Sequence, residues 1–328
     1  MQFCINQQRR YPYLVYKIFQ KKITDALQSQ LGEDYRLVLQ KVPKNNGTIL
    51  DGLCIIRKED NLSPTIYLNS YYERYQDGIS LNSIIQEILD IYQENSSVTS
   101  LDFSILNDFS LLKEKVVYKL IHTASNEELL KDLPSIPYLD LSIIFYLYLE
   151  KNENGQMTSL IHNEHLKLWD TSPQELYNLA SINTPKLLPV ELNSMEEVMR
   201  SIAKEHLGNE YREEFLDDLL SARTISPLYV QTNSVGICGA CTILYPNQLK
   251  NFADMAEADL VILPSSIHEV LLLPYEANLS FQELTDMVSY INRAEVPVED
   301  RLSDQVYLYS RNLDSVVIAN AAIETVLS

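Results

Sequence analysis

Glycine is the residue that most narrows what this chain can be. Only 8 of its 328 residues are glycine, about a third of the usual share. No G-x-G occurs, so the dinucleotide fingerprint is absent, with its tight turn and close backbone approach to pyrophosphate. Gly47 and Gly52 have the spacing of a phosphate loop, but Leu53 and Cys54 follow where Lys and Ser/Thr are required. Walker-type nucleotide binding is therefore not expected.

Apolar residues make up 46% of the chain and charged residues 22%. That composition supports a full hydrophobic core, and the length suits two domains more readily than one. The formal charge is −19. Up to residue 160 there are 16 basic and 20 acidic residues; beyond it there are 10 and 25. A surface so acidic repels phosphate backbones, and no basic stripe offsets it, which argues against direct nucleic-acid and membrane partners. The N-terminal stretch MQFCINQQRRYPYLVYKIFQKK has no uninterrupted apolar core of signal-peptide length. The longest apolar run, Leu139 to Leu149, is half a membrane span. The expectation is a soluble, cytoplasmic protein. Four cysteines in a chain this long do not form a disulfide framework.

Apolar spacing predicts a helix over 11–31, ended by Gly32. Two strands follow, joined by the Asn46-Gly47 turn. Pro64 opens a third strand, PTIYLNSYY, and a helix covers 80–93 with Ser80 as its cap. Residues 106–121 read as helical. A hairpin follows whose first arm, apolar on both faces, is a central strand and whose turn spans Asn152 to Gly155. Later helices are expected at PQELYNLASIN (Thr171 or Ser172 as cap, Pro173 in its first turn), at SMEEVMRSIAKEH with a Ser194–Glu197 capping box, at 210–220, at NQLKNFADMA and at SFQELTDMVSYIN. Strands are expected at LYVQTN, CTILYP, DLVILP, HEVLLLP and QVYLYS. Helices and strands mix without strict alternation. The fold class is thus α+β, in two units of mainly antiparallel sheet covered by helices, residues 1–168 and 169–328.

The site-like signals differ in strength. Cys238 and Cys241 have C-x-x-C spacing, but a strand rather than a helix is expected after them, and no second pair completes a zinc site. His162 and His165 lack a third ligand, so no metal is implied. The stretch Leu263-Pro264-Ser265-Ser266-Ile267-His268-Glu269 is the most informative. Its polar residues interrupt two apolar strands, and Ser266 and His268 share a face if the segment is extended. A serine beside a histidine is the start of a nucleophile-and-base arrangement. Asp140, at the start of an apolar arm, is a carboxylate that burial would force into hydrogen bonds.

Seven phrases, NNGTILDGL, PTIYLNSYYERYQDG, LDLSIIFYLYLE, PQELYNLASINT, GACTILYP, LPSSIHEVLLLP and LSDQVYLYS, occur here in the order they take in a family of uncharacterised proteins. From about residue 35 to 311 the chain resembles that domain-of-unknown-function family of clostridia and other gut Firmicutes, whose members are often encoded near mobile elements. The resemblance supplies no activity and no cofactor. Its pattern covers Asp140, Asn183, Ser265, Ser266, His268 and Glu269, which form the candidate ligand or partner site. At the C-x-x-C it centres on Gly239 and Ala240, not the cysteines.

The leading expectation is a non-catalytic binding or interaction protein with a protein or small-molecule partner. The alternative is a hydrolase-type enzyme centred on Ser266, His268 and Glu269, with Asp140 or Asn183 as a third group. A third reading is an acidic nucleic-acid mimic that inhibits a basic DNA-processing partner.

Overall fold

The computed structural model describes residues 13–58, 65–96, 108–152, 155–207, 227–276 and 279–320. By packing, the chain divides into two compact units: residues 1–44 with 48–103, and residues 45–47 with 104–328. The division expected at 168/169 falls instead at 103/104. The reason is that residues 116–147 bury the same core as residues 238–309, so the hairpin in the middle of the chain belongs with the acidic half.

In the first unit, helix α1 (Tyr13–Leu31) places Phe19, Ile23 and Leu27 on one stripe, four residues apart, and all three are buried. Strands β1 (Tyr35–Pro43), β2 (Ile49–Arg57) and β3 (Thr65–Tyr67) form an antiparallel sheet in that order. Asn46 (φ 55°) and Gly47 (φ 71°) make the turn between β1 and β2 in the left-handed conformation their residue types tolerate. The third strand is shorter than expected. After Tyr67 the chain enters helix α2 (Leu68–Gln76), because Leu68, Tyr71 and Tyr72 meet the core at helical spacing. Helix α3 (Leu81–Ser96) completes this core with Ile84, Ile85, Ile88 and Leu89, and Ser80 caps it by accepting the Ser83 N–H at 3.1 Å.

The second unit has two antiparallel sheets. Of the helix expected over 106–121, the described residues form α4 (Phe109–Leu112) and a tight turn. Val116, Val117 and Tyr118 then open strand β4 (Val116–His122), since β-branched and aromatic side chains buried on both faces suit a strand better. After α5 (Glu127–Leu130), edge strand β5 (Ser135–Tyr138) and the hairpin of β6 (Leu141–Asn152) and β7 (Gly155–Leu160) complete this sheet, with β6 central as its two apolar faces imply. Helix α6 (Asn163–Trp169) follows. Helix α7 (Pro173–Leu187) starts on Ser172, whose hydroxyl accepts the Glu175 N–H at 3.2 Å.

The second sheet has the order β13-β12-β10-β11-β9-β8. Its strands are β8 (Val190–Ser194), β9 (Tyr229–Asn233), β10 (Leu260–Pro264), β11 (Val270–Pro274), β12 (Tyr307–Ser310) and β13 (Ser315–Ile318). Helix α8 (Met195–Leu207) has the expected reciprocal Ser194–Glu197 cap. The strand expected at CTILYP is a 3-10 turn, Gly239–Leu244, leading to helix α9 (Gln248–Ala256). Alternate residues of β10 face opposite cores. Leu260 and Ile262 meet Phe145 and Tyr307 in the main core. Val261 and Leu263 meet Phe281 and Val288 of α10 (Phe281–Ala294) in a smaller one. The helix expected at 210–220 lies outside the described residues.

Candidate functional site

The PSSIHE stretch forms the loop between β10 and β11, closed by the Pro264–Val270 pair. Ser266 accepts the His268 N–H on its hydroxyl at 3.0 Å, and its own N–H donates to the Glu269 carbonyl at 3.2 Å. Ser265 reaches the Glu269 carboxylate at 3.4 Å. These are local turn bonds of the kind short hydroxyl side chains make.

His268 is held from three directions. The Cys238 N–H donates to Nδ1 at 3.2 Å, and Nε2 lies 3.1 Å from Asp300 Oδ1. A backbone N–H can only donate, so Nδ1 is the acceptor and the ring proton sits on Nε2, directed at Asp300. The Thr232 hydroxyl donates to the His268 carbonyl at 2.7 Å. Here Gly239 is required for space: a Cβ would lie 2.5 Å from the His268 carbonyl oxygen and 2.2 Å from the Thr232 hydroxyl. The loop also grips the next segment through the Ile267 N–H, which donates to the Asp300 carbonyl at 2.7 Å.

Arg301 to Gln305 continue from that anchored aspartate and form one wall of an open cleft of about 380 Å³. Asp140 faces it from the start of β6. Its Oδ2 accepts from the Ser303 hydroxyl at 2.6 Å and its Oδ1 from the Tyr307 hydroxyl at 2.8 Å. Burial, and then the Asp140 charge, push the Tyr307 hydroxyl far above its ordinary value, so it remains a donor. His122, at the end of β4, places Nε2 3.8 Å from Asp140 Oδ2 and Nδ1 2.7 Å from the Ser125 hydroxyl. Asp304 is held by the Asn292 amide at 2.8 Å and the Ser289 hydroxyl at 3.2 Å. Arg293 and Arg301 also line the cleft. Arg301 uses Nε on the Val296 carbonyl at 3.0 Å. Neither arginine has a carboxylate partner among the described residues.

Of the six residues expected to form a site, four sit together in the β10–β11 loop and Asp140 lies on the cleft. Asn183 is elsewhere: its buried amide donates to the Lys113 and Val116 carbonyls at 2.7 and 3.0 Å, fastening α7 to β4. The cleft's His122, Ser125, Arg293 and Arg301 were not singled out from sequence. A usable signal existed for the arginines, which are two of only 10 basic residues in the acidic half. His122 and Ser125 were hidden because the segment before them read as helix.

The match to a family model, described as a family of unknown function (DUF5688), runs from residue 16 to 311. The chain belongs to this family. No curated protein and no solved structure matches it. The family span contains every cleft residue named above and both ends of the His268 clamp. Among the described residues, no helix is long and apolar enough to cross a membrane, and no group of His, Cys, Asp and Glu side chains is arranged to hold a metal ion.

The other sequence signals have local partners. Burial pushes the Cys241 thiol far above its ordinary value, which suppresses the thiolate a redox pair needs. His162 bonds Asp132 at 2.7 Å, and His165 accepts the His162 N–H at 2.9 Å as the start of α6.

Proposed function

We propose that the protein is a binding protein whose second unit takes a small anionic molecule in the cleft between Asp140 and the 301–305 segment. The observation that carries this reading is the state of the charges there. Asp140 and Asp304 are satisfied by hydroxyl and amide donors, whereas Arg293 and Arg301 have no carboxylate partner among the described residues. In a chain with 45 acidic and 26 basic residues, two arginines without carboxylate partners lining one cleft suit an anionic occupant. A volume of about 380 Å³ suits a small organic anion.

In this reading Ser265, Ser266, His268 and Glu269 belong to the site as its support. Ser265, Ser266 and Glu269 shape the loop, and His268 with the Ile267 N–H holds Asp300, the residue before Arg301. The wider setting is part of the same proposal: a cytoplasmic protein of clostridial cells, encoded near mobile elements, as the sequence resemblance implies.

Calorimetric titration with inorganic phosphate and with succinate at low salt tests the reading. At least one should bind, and Arg301→Ala and Arg293→Ala should each weaken it about tenfold or more, as loss of a charge-assisted contact of roughly 1.5 kcal/mol implies. Equal binding by wild type and both variants would place the anion elsewhere.

A further inference from the structure

The cleft holds a second arrangement. Ser125, His122 and Asp140 stand in the order hydroxyl, imidazole, carboxylate. The Ser125 hydroxyl is 2.7 Å from Nδ1 of His122, and Nε2 of the same ring is 3.8 Å from Asp140 Oδ2. Proton positions follow from the neighbours. The Gln305 N–H donates to the Ser303 oxygen at 2.9 Å, leaving the Ser303 proton free for Asp140. Tyr307 donates to the other oxygen. Asp140 therefore only accepts, which favours the ring proton on Nε2. Nδ1 is then free to accept the Ser125 proton. Ser125 is exposed, so an incoming group can reach it.

We propose that Ser125 is a nucleophile toward small carboxylic esters that carry an anionic group, with His122 as its general base and Asp140 positioning the ring. This rests on the reading of the cleft as an anion site, because Arg293 and Arg301 are what would select the charged substrate. The Ser125 oxygen forms a bond to the ester carbon while its proton passes to His122 Nδ1, and the carbonyl electron pair moves to oxygen. Collapse of that intermediate breaks the bond to the leaving alkoxide, which takes the proton from His122 and departs as an alcohol. Water then adds to the acyl carbon, giving a proton to Nδ1. The bond to Ser125 breaks, the serine recovers the proton, and a carboxylic acid leaves. No oxidant, reductant or metal is required.

The β10–β11 loop cannot do the same work in its present arrangement. Ser266 spends its oxygen on the His268 N–H, and both ring nitrogens of His268 are engaged, by Cys238 and by Asp300.

The experiment uses the full chain and three probes: a fluorophosphonate label located by mass spectrometry, p-nitrophenyl acetate, and mono-p-nitrophenyl succinate. The label should fall on Ser125. Hydrolysis of the succinate ester should fall at least 100-fold in Ser125→Ala and His122→Ala. In Asp140→Asn, kcat should fall with KM unchanged. Ser125→Cys, which keeps a nucleophile at the same place, should retain an initial burst of nitrophenol. A folded Ser125→Ala variant with the wild-type rate, or a label only on other residues, overturns the proposal. If that happens while phosphate or succinate binding still depends on Arg293 and Arg301, the nucleophile is wrong and the anion site stands. If Ser125 is labelled but Arg293→Ala and Arg301→Ala leave the preference for the succinate ester over the acetate unchanged, the nucleophile stands and the anion selection fails.

Discussion

His122 closes β4 and His268 lies in the β10–β11 loop of the same unit, each beside an aspartate and a serine, yet the two rings are used in opposite ways. Around His268 the backbone does the binding: the Cys238 N–H occupies Nδ1, and the ring proton is given to Asp300. Around His122 the same nitrogen meets an exposed hydroxyl, and the carboxylate is 0.7 Å farther from Nε2 than at His268. A histidine whose two nitrogens both bond the protein at short range is a clamp. One whose bonds can loosen at little cost can exchange protons with a bound molecule. Stability measurements on single substitutions separate the two.

The largest effect is expected at the clamp. Gly239→Ala should cost about 3 kcal/mol in urea unfolding, because the new methyl group meets backbone atoms that cannot move aside. A cost below 1 kcal/mol would mean the 3-10 turn and the loop are not tightly packed. His268→Ala comes next, at about 2 kcal/mol, since it leaves the Cys238 N–H and the Asp300 carboxylate without their partner. Asp140→Asn should cost about 1 kcal/mol: an amide has one accepting oxygen, so either Ser303 or Tyr307 loses its acceptor. Ser125→Ala should change stability by less than about 0.5 kcal/mol, as an exposed hydroxyl in a turn. If Ser125→Ala proved as costly as His268→Ala, the comparison would collapse, and Ser125 would be a structural turn residue.

A third histidine gives a smaller and subtler test. His165 accepts a backbone N–H on Nδ1, as His268 does. Burial, then the neighbouring His162, lower its affinity for protons below the ordinary value of about 6.5. The unfolded chain therefore takes up this proton first as pH falls. The contribution is fully present above about pH 6.5 and is lost as pH falls through the lower folded-state value. Urea midpoints between pH 7.5 and 5 should decline less steeply in His165→Gln than in wild type. Parallel curves would remove His165 from the account.

Much of the local structure is legible in the sequence. Asn46-Gly47 marks the first hairpin, Ser172 and Pro173 the start of α7, and Ser194 with Glu197 the start of α8. Each works through bonds or conformational preferences within four residues. The misread segments share a cause. VVYKLIH and CTILYP are short apolar runs, and LNSYYERYQ brings only Leu68, Tyr71 and Tyr72 to the core; in each, strand and helix spacing overlap and burial decides between them. Val116–His122 became a strand because β6 lies beside it, and Gly239–Leu244 a 3-10 turn because Gly239 must pack on the His268 carbonyl.

The sequence by itself determined the fold class, the exclusion of glycine-rich nucleotide loops, the capped helices and the tight turns, because these depend on side chains close together along the chain. It also pointed to Asp140 and to the polar loop before β11. Only the tertiary structure decided their partners. Asp140 meets Tyr307 across 167 residues, and Ser303 across 163. His268 meets Asp300 across 32. Such pairs form only when sheet pairing and core burial have brought distant strands together, and no local preference records the meeting. What surrounds each nitrogen makes His268 a clamp and leaves His122 Nδ1 beside an exposed hydroxyl.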